Sequence, residues 1–474
     1  MTMTRVSVVV IGGGPAGLSA AIAASSDGAT VLLVERDARL GGMLKQCIHD
    51  GFGVIRYGDR LTGPEYALKD MMTLKQTNTH VLLQTFVSRI VRVGNAFQLT
   101  MCNRHGLLLV ETNSIVLATG CKEQTASQIG IHGTHPSGVM TAGTAQYYTN
   151  ILGQLPTKRC IILGSSDIGM VMARRLTLEG AKVIGVYEEK QTPGGLLQNV
   201  TRCLSDFDIP LYFGHTITRV FGTQRLRAVE VSRVDKGLKP IRGSEKLIKC
   251  DALILSVGLI PENELAESLG LPLSEDTLGP VCDQNYMTMV DGVFCCGNSL
   301  FVSDAVDYVS ESGEAAGKNA ARYMPRERRL ANITTSKDFL SCIPHCIDCD
   351  MIRGQSVFFF RSDSVRENVT VQLYVGVSMV FSQYFHVLRP SETARIVVDF
   401  NQPLSPESRI ELKMEQTGSA KQDSTRAIGN INSDVDGFGG DSGSGSDDDG
   451  SNDGGDSNDS DPDDEFEDIS LSLF

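Results

Sequence analysis

The stretch Val6 to Glu35, VSVVVIGGGPAGLSAAIAASSDGATVLLVE, decides the fold. Its first 21 residues, Val6 to Ser26, carry no charge, and by length alone they could span a bilayer. The residue types argue otherwise. VSVVVI is β-branched and strand-like, and GGGPAG would set a Gly-Pro turn at the bilayer centre. A buried strand, a tight turn and a helix account for the run, so neither a membrane span nor a targeting segment is expected. Gly12, Gly14 and Gly17 then have distinct tasks. The first permits the turn, the second lets backbone N–H groups approach a pyrophosphate, and the third lets helix and strand pack closely, while the helix N-terminus offers partial positive charge. The pattern runs on through Ala21 and Gly28 to Glu35 at the end of a second strand, where a carboxylate can accept hydrogen bonds from ribose hydroxyls. These features together predict a dinucleotide site.

The same pattern returns 152 residues later. Gly164, Ser166, Gly169, Ala173, Gly180 and Val183 match Gly12, Gly14, Gly17, Ala21, Gly28 and Val31, and RCIILG precedes the turn as VSVVVI does in the first copy. Ser166 replaces the middle glycine. Tyr187 falls at the place of Glu35, with Glu188 one residue later. An acid there favours a free 2′-hydroxyl and repels a 2′-phosphate, so NADH is expected ahead of NADPH.

The chain has 474 residues, long enough for two or three domains. Fifteen Asp or Glu and no Lys or Arg lie between 434 and 474, so the net charge of −14 belongs to the tail and residues 1–433 sum to +1. A balanced body has no broad basic field, and nucleic-acid binding is not expected. Twelve cysteines scattered through a large core read as reduced thiols of a cytoplasmic protein rather than a disulfide scaffold.

Two dinucleotide units in order resemble the two-dinucleotide-binding flavoproteins, the pyridine nucleotide-disulfide oxidoreductase superfamily. SIVLATG (Ser114 to Gly120), DALILSVGLIP (Asp251 to Pro261) and DGVFCCGN (Asp291 to Asn298) match its later motifs in order. The resemblance implies an α/β fold: a Rossmann-like FAD-binding domain, residues 1–122 and 258–330, into which a Rossmann-like NAD-binding domain, 123–257, is inserted. It implies FAD contacts at Gly12, Gly14, Pro15, Ala16 and Gly17, at Glu35, Arg36 and Gly42, at Ala118, Thr119 and Gly120, and at Gly297 and Asn298. Asn298 stands where the family usually has Asp. For NAD(H), with NADP(H) as second choice, it implies Gly164, Ser166, Ile168, Gly169, Glu188 and Gly258. GGMLKQCIHDGFG, LTGPEY, GVMTAGTAQ, LSVGLIPENEL and DAVDYVSESGEAAGKNAA further resemble the FAD-dependent oxidoreductases that accompany bacterial glycerol-3-phosphate dehydrogenase, relatives of the opine oxidase and hydrogen cyanide synthase flavin subunits.

Within that resemblance the dithiol is missing. In the glutathione reductase kind two cysteines follow the Gly-Gly where Leu44 and His49 stand here, and between Cys160 and Cys250 only Cys203 occurs, which leaves no C-x-x-C of the thioredoxin reductase kind. The expected activity is an FAD-dependent oxidoreductase that takes hydride from NADH and passes electrons to an unidentified acceptor, a partner protein among the candidates. Its alternative is an electron-transfer or structural subunit of a glycerol-3-phosphate dehydrogenase-like complex without NADH activity of its own. A dimer or hetero-complex is expected. Cys47 and His49 are the catalytic candidates, as a peroxide-reactive thiol with a cationic neighbour or as proton donor to the acceptor, against the alternative of pocket wall.

Cys342, Cys346 and Cys349 in CIPHCIDC have a spacing that could hold an iron-sulfur cluster. No fourth cysteine follows, so a cysteine-rich connection is expected and no metal. SVFFFR, NVTVQLYVGV, SQYFHVL and ARIVVDF, broken by RPSE and NQPLSPES, predict a small all-β domain over 340–414. From 416 to 474 the Gly, Ser, Asn and Asp composition predicts a disordered acidic tail ending in the apolar ISLSLF.

Overall fold

The computed structural model describes residues 4–351, 355–400 and 403–416. The predicted acidic tail beyond Gln416, ISLSLF included, lies outside the described residues. The uncharged run becomes the strand Thr4–Ile11, a glycine turn and the helix Pro15–Ser26. Among the described residues no helix is long and apolar enough to cross a membrane.

Five parallel strands build the first α/β unit, in the order His80–Leu82, Val31–Val34, Thr4–Ile11, Gly106–Leu117, Val293–Cys295. Val31–Val34 is buried at every residue, as expected for a parallel sheet covered on both faces. Phe86–Val93, Ala96–Asn103 and Gly106–Leu117 add an antiparallel meander. The register aligns the carboxyl ends: Ile11 pairs with Val34 and Leu117, and Leu117 pairs with Cys295. The next residues, Gly12, Glu35, Ala118 and Cys296, therefore share one edge. That edge is where open α/β sheets bind ligands. Helix Val306–Ala321 crosses Pro15–Ser26 with almost no gap, since a Cβ on Gly313 or Gly317 would lie 2.1 Å from the carbonyl oxygens of Ala16 and Ala20.

The second unit repeats the plan. Its parallel order is Val139–Thr141, Ala252–Leu255, Arg159–Leu163, Lys182–Glu188, Leu211–Phe213, with helix Asp167–Leu178 following the turn. A separate sheet of His132–Gly133, His215–Gly222, Leu226–Arg233 and Lys246–Lys249 covers one face, burying Ile217, Val229 and Val231 against Leu253 and Leu255. The chain enters and leaves along one antiparallel ribbon, Cys121–Glu123 with Leu259–Pro261.

After these units two sheets enclose a core of Phe358, Phe360, Val371, Leu373, Val398 and Leu412. One sheet has the order Cys346–Asp348, Leu330–Thr335, Ile410–Gln416, Arg366–Val375, Ser378–Leu388; the other has Phe339–Ile343, Gln355–Ser362, Ala394–Asp399. The four apolar runs read from the sequence are strands here. The cysteine-rich segment, expected as a connection, supplies two more. Cys342 and Cys346 are buried and their thiols pushed up to about 12 by burial, and each of the three sulfurs meets a main-chain carbonyl. Among the described residues no group of His, Cys, Asp or Glu is arranged to hold a metal ion.

Candidate dinucleotide sites

At the first turn Gly12 has φ +107°, and a Cβ on it would meet the Ala118 carbonyl oxygen at 2.3 Å. A Cβ on Gly17 would lie 1.8 Å from the Gly12 carbonyl oxygen. Gly14 differs, because a Cβ there would find only the Gly42 Cα, at 3.9 Å. Space therefore remains in front of the helix, as close approach of a phosphate requires. Gly14 caps this helix without any side-chain hydrogen bond, whereas Thr62 and Glu65 form a capping box on helix Gly63–Lys75. Pro15 supplies a first residue without N–H and Ala16 keeps the first turn small. Donors at this end are left for a ligand.

Glu35 is buried at the strand end, accepting from the Gly13 N–H at 2.6 Å and the Asp37 N–H at 2.8 Å. Arg36 beside it is exposed. The Gly41 N–H donates to the Gly13 carbonyl at 2.8 Å and lays Gly42 against Gly14. Thr119 donates to the Glu262 carbonyl at 2.9 Å, and Gly120 accepts from the Glu262 N–H at 2.9 Å. Gly297 packs on Ala16 and donates to the Ser312 hydroxyl at 2.9 Å. The Asn298 amide nitrogen faces the Cys121 sulfur at 3.7 Å, and its oxygen accepts from the Ser303 N–H at 3.0 Å. The first set of predicted residues is thus gathered on one edge, and its open, uncapped cradle fits the pyrophosphate of FAD.

The second turn reproduces this with one adjustment. A Cβ on Gly164 would meet the Ser256 carbonyl oxygen at 2.1 Å, so Ser256 stands where Ala118 stands in the first unit. Gly169 packs against Ser256 and Gly164, Ile168 is half-buried, and the hydroxyls of Ser166 and Ser256 are hydrogen-bonded. Strand Lys182–Glu188 holds one extra residue: Cys160 pairs with Val183, but Ile162 pairs with Val186. This bulge moves Tyr187 back to the position of Val34, each receiving the N–H of the turn glycine, from Gly164 at 2.7 Å and from Gly12 at 2.8 Å. Glu188 consequently takes the place of Glu35. It is buried and accepts from the Ser165 N–H at 2.9 Å and the Lys190 N–H at 3.1 Å. Gly258 lies on the crossing ribbon, accepting from the Gln124 N–H at 3.1 Å, as Gly120 does from Glu262.

Cys47 and His49 follow the short 3-10 turn Gly42–Gln46. That turn is clamped to helix Ala142–Asn150. Gln46 donates to the Gly143 carbonyl at 3.3 Å, and Asn150 donates to the Gln46 carbonyl at 2.8 Å. The Cys47 thiol donates to the Met43 carbonyl at 3.3 Å and lies 4.0 Å from the Gln146 side-chain oxygen. Burial pushes this thiol up to about 11. Burial also lowers His49, with Asp50 and Asp167 acting in the opposite sense. Both environments favour the neutral forms at neutral pH, which works against a thiolate beside a cationic imidazole. Cys47→Ser is accordingly expected to leave the rates of flavin reduction and reoxidation within about twofold, followed by stopped-flow absorbance.

Sequence reading missed Gly13, Ser256 and the pair Gly194–Gly195. The pair Gly194–Gly195 could have been found, since Glu35 and Glu188 each precede a Gly-Gly by six residues.

A family model described as pyridine nucleotide-disulphide oxidoreductase matches residues 6–319, more than half of the chain. The chain belongs to that family. As a family member it is an NAD(P)H-dependent flavoprotein oxidoreductase with FAD as its flavin. It is 25% identical over 367 residues to an opine oxidase subunit from Agrobacterium tumefaciens, covering 71% of this chain and 70% of that one. It is 26% identical over 279 residues to the hydrogen cyanide synthase subunit HcnB of Pseudomonas aeruginosa, covering 56% of this chain and 59% of that one. Thioredoxin reductase of T. acidophilum has the same fold, with TM-score 0.56 and 20% identity over 67% of this chain and 98% of that structure.

Proposed function

We infer that the protein takes hydride from NADH, in preference to NADPH, onto a bound FAD and delivers the electrons to an acceptor without an active-site disulfide. The observation that carries this reading is the pair of matching cradles, each with a glycine turn at a strand end, an uncapped helix and a buried carboxylate facing the turn. FAD, when bound, supplies a ring that accepts hydride and releases electrons onward. Gly12, Gly14, Pro15, Ala16 and Gly17 hold its pyrophosphate, Glu35 and Arg36 its ribose end, and Gly42, Ala118 to Gly120, Gly297 and Asn298 wall it. Gly164, Ser166, Ile168 and Gly169 hold the nicotinamide dinucleotide, with Glu188 at its ribose and Gly258 at the ribbon. Cys47 and His49 form pocket wall.

Leu44 and His49 at the family's cysteine places support a route without a dithiol. Twelve free cysteines support a reducing compartment, the cytoplasm. Two of the relatives are named as subunits, which supports a partner protein as acceptor.

The test is to purify the yellow protein and add NADH without oxygen. Rapid bleaching of the flavin band is expected, and no bleaching with NADH or NADPH sinks the reading. Glu188→Gln keeps an acceptor for Ser165 while removing the charge. It is expected to lower the NADH over NADPH ratio of kcat/KM roughly tenfold, an effect of about 1.4 kcal/mol. An unchanged ratio would remove the acid from the ribose site.

A further inference from the structure

The resemblance between the two cradles extends past the carboxylates. Six residues after Glu35 comes Gly41–Gly42, and six after Glu188 comes Gly194–Gly195. Beyond the bulge the repeat runs at an offset of 153, with Met43 and Leu44 matched by Leu196 and Leu197. Both pairs fold back over their glycine turn. In the first cradle the Gly41 N–H reaches the Gly13 carbonyl at 2.8 Å, and a Cβ on Gly42 would lie 3.0 Å from the Gly14 Cα. In the second the Gly194 N–H donates to the Ser165 hydroxyl at 2.9 Å, and that hydroxyl donates to Glu188 at 2.6 Å.

The second loop has a latch that the first lacks. Asp167, the first residue of helix Asp167–Leu178, stands where the first copy has Pro15. One of its carboxylate oxygens accepts from the Leu196 N–H at 2.8 Å and from the Asn199 amide at 2.7 Å. Those two bonds draw the loop onto the helix end, and only glycine fits there, because a Cβ on Gly195 would lie 2.5 Å from that same oxygen and 2.7 Å from the Asp167 nitrogen.

We propose that Gly194–Gly195, held by Asp167, is the second wall of the nicotinamide dinucleotide site and closes the cradle over the pyrophosphate of NADH. This rests on the reading that the second unit binds NADH. Asp167 is a positioning residue. Its charge is taken up by two loop donors, which keeps a carboxylate tolerable beside phosphates, and the glycines let the main chain come close where any side chain would stand between. The loop acts on nucleotide affinity and leaves hydride transfer itself to the cofactor.

The experiment is anaerobic stopped-flow reduction of the FAD-loaded protein by NADH, as wild type, Gly195→Ala and Asp167→Ala. In both variants the apparent Kd for NADH is expected to rise at least tenfold, while the limiting reduction rate stays within about twofold and FAD content is unchanged. Asp167→Asn keeps an acceptor oxygen and is expected to retain most of the affinity, which a merely structural role for the loop would not distinguish from Asp167→Ala. Wild-type affinity in Gly195→Ala or in Asp167→Ala overturns the proposal, and so does a loss confined to the limiting rate. A wild type that neither NADH nor NADPH reduces overturns instead the reading on which the proposal rests.

Discussion

Gly17→Ala is expected to yield a colourless protein, with the visible flavin band reduced to less than about a tenth of its wild-type ratio to protein absorbance. The added methyl would lie 1.8 Å from the Gly12 carbonyl oxygen, and nothing nearby can give way cheaply. Gly12 is itself held at φ +107° against the Ala118 carbonyl, on strands whose register fixes that edge. The helix must therefore retreat by roughly 1.5 Å to restore an ordinary contact. Its first-turn N–H groups would then lose the phosphate, and hydrogen bonds to a charged group are worth about 1.5–3 kcal/mol each. Gly28→Ala is the internal control. That residue also has a positive φ, +86°, but nothing lies within 4 Å of the position a Cβ would take. Its cost is backbone strain of order 1 kcal/mol in stability, with FAD content retained. Equal flavin loss in the two variants would mean that the Gly17 contact does not shape the cradle.

The contrast between the two cradles explains what was legible in the sequence. The first is written in short spacings, three glycines and an acid within 24 residues, and each residue's task follows from local geometry. The second obeys the same rule except for one residue inserted in strand Lys182–Glu188, where a bulge absorbs it. At a constant offset the acid falls on Tyr187, and Gly194–Gly195 slips out of register. Glycine spacing carries no sign of a bulge, because a bulge is a property of the pairing between strands. The β layer shows the same limit on a larger scale. Runs such as SVFFFR announce themselves by composition. Leu330–Thr335 has only one fully buried residue and acquires its strand character from Ile410–Gln416, some 80 residues away. CIPHCIDC drew attention to sulfur chemistry, while its structural content is edge pairing and burial.

Arg328 sits at the join between the first α/β unit and the β layer, and Arg328→Met is expected to cost about 3–5 kcal/mol in denaturant unfolding of the FAD-loaded protein at pH 8. Its side chain is 6% exposed, and its guanidinium contacts Asp283 at 3.3 Å, Asp291 at 2.7 Å and the Thr288 carbonyl at 2.7 Å. Methionine fills similar volume, so the cost comes from the charge left behind. Asp283 is fully buried and accepts also from the N–H groups of Asn285 and Met287. Even so, burial outweighs Arg328 and those donors and holds its carboxyl up at about 6 against an ordinary 3.8. The pH dependence then has a definite sign. A carboxyl raised in the folded state binds its proton more tightly there than in the unfolded chain. Stability from this group therefore increases as pH falls from about 6 toward 4. Without Arg328 the carboxyl rises further, so the folded variant must either bury a bare charge or hold a proton that the solvent withdraws at high pH. The deficit between variant and wild type should consequently be largest at pH 8 and shrink by pH 5. A deficit independent of pH would assign the loss to packing rather than to Asp283. Because Asp283 forms a β-bridge to Cys346, and Gln284 exchanges hydrogen bonds with the Asp348 main chain at 2.7 and 3.1 Å, the same variant should loosen the β layer. Limited proteolysis is expected to cut first between 325 and 355, while the flavin remains bound.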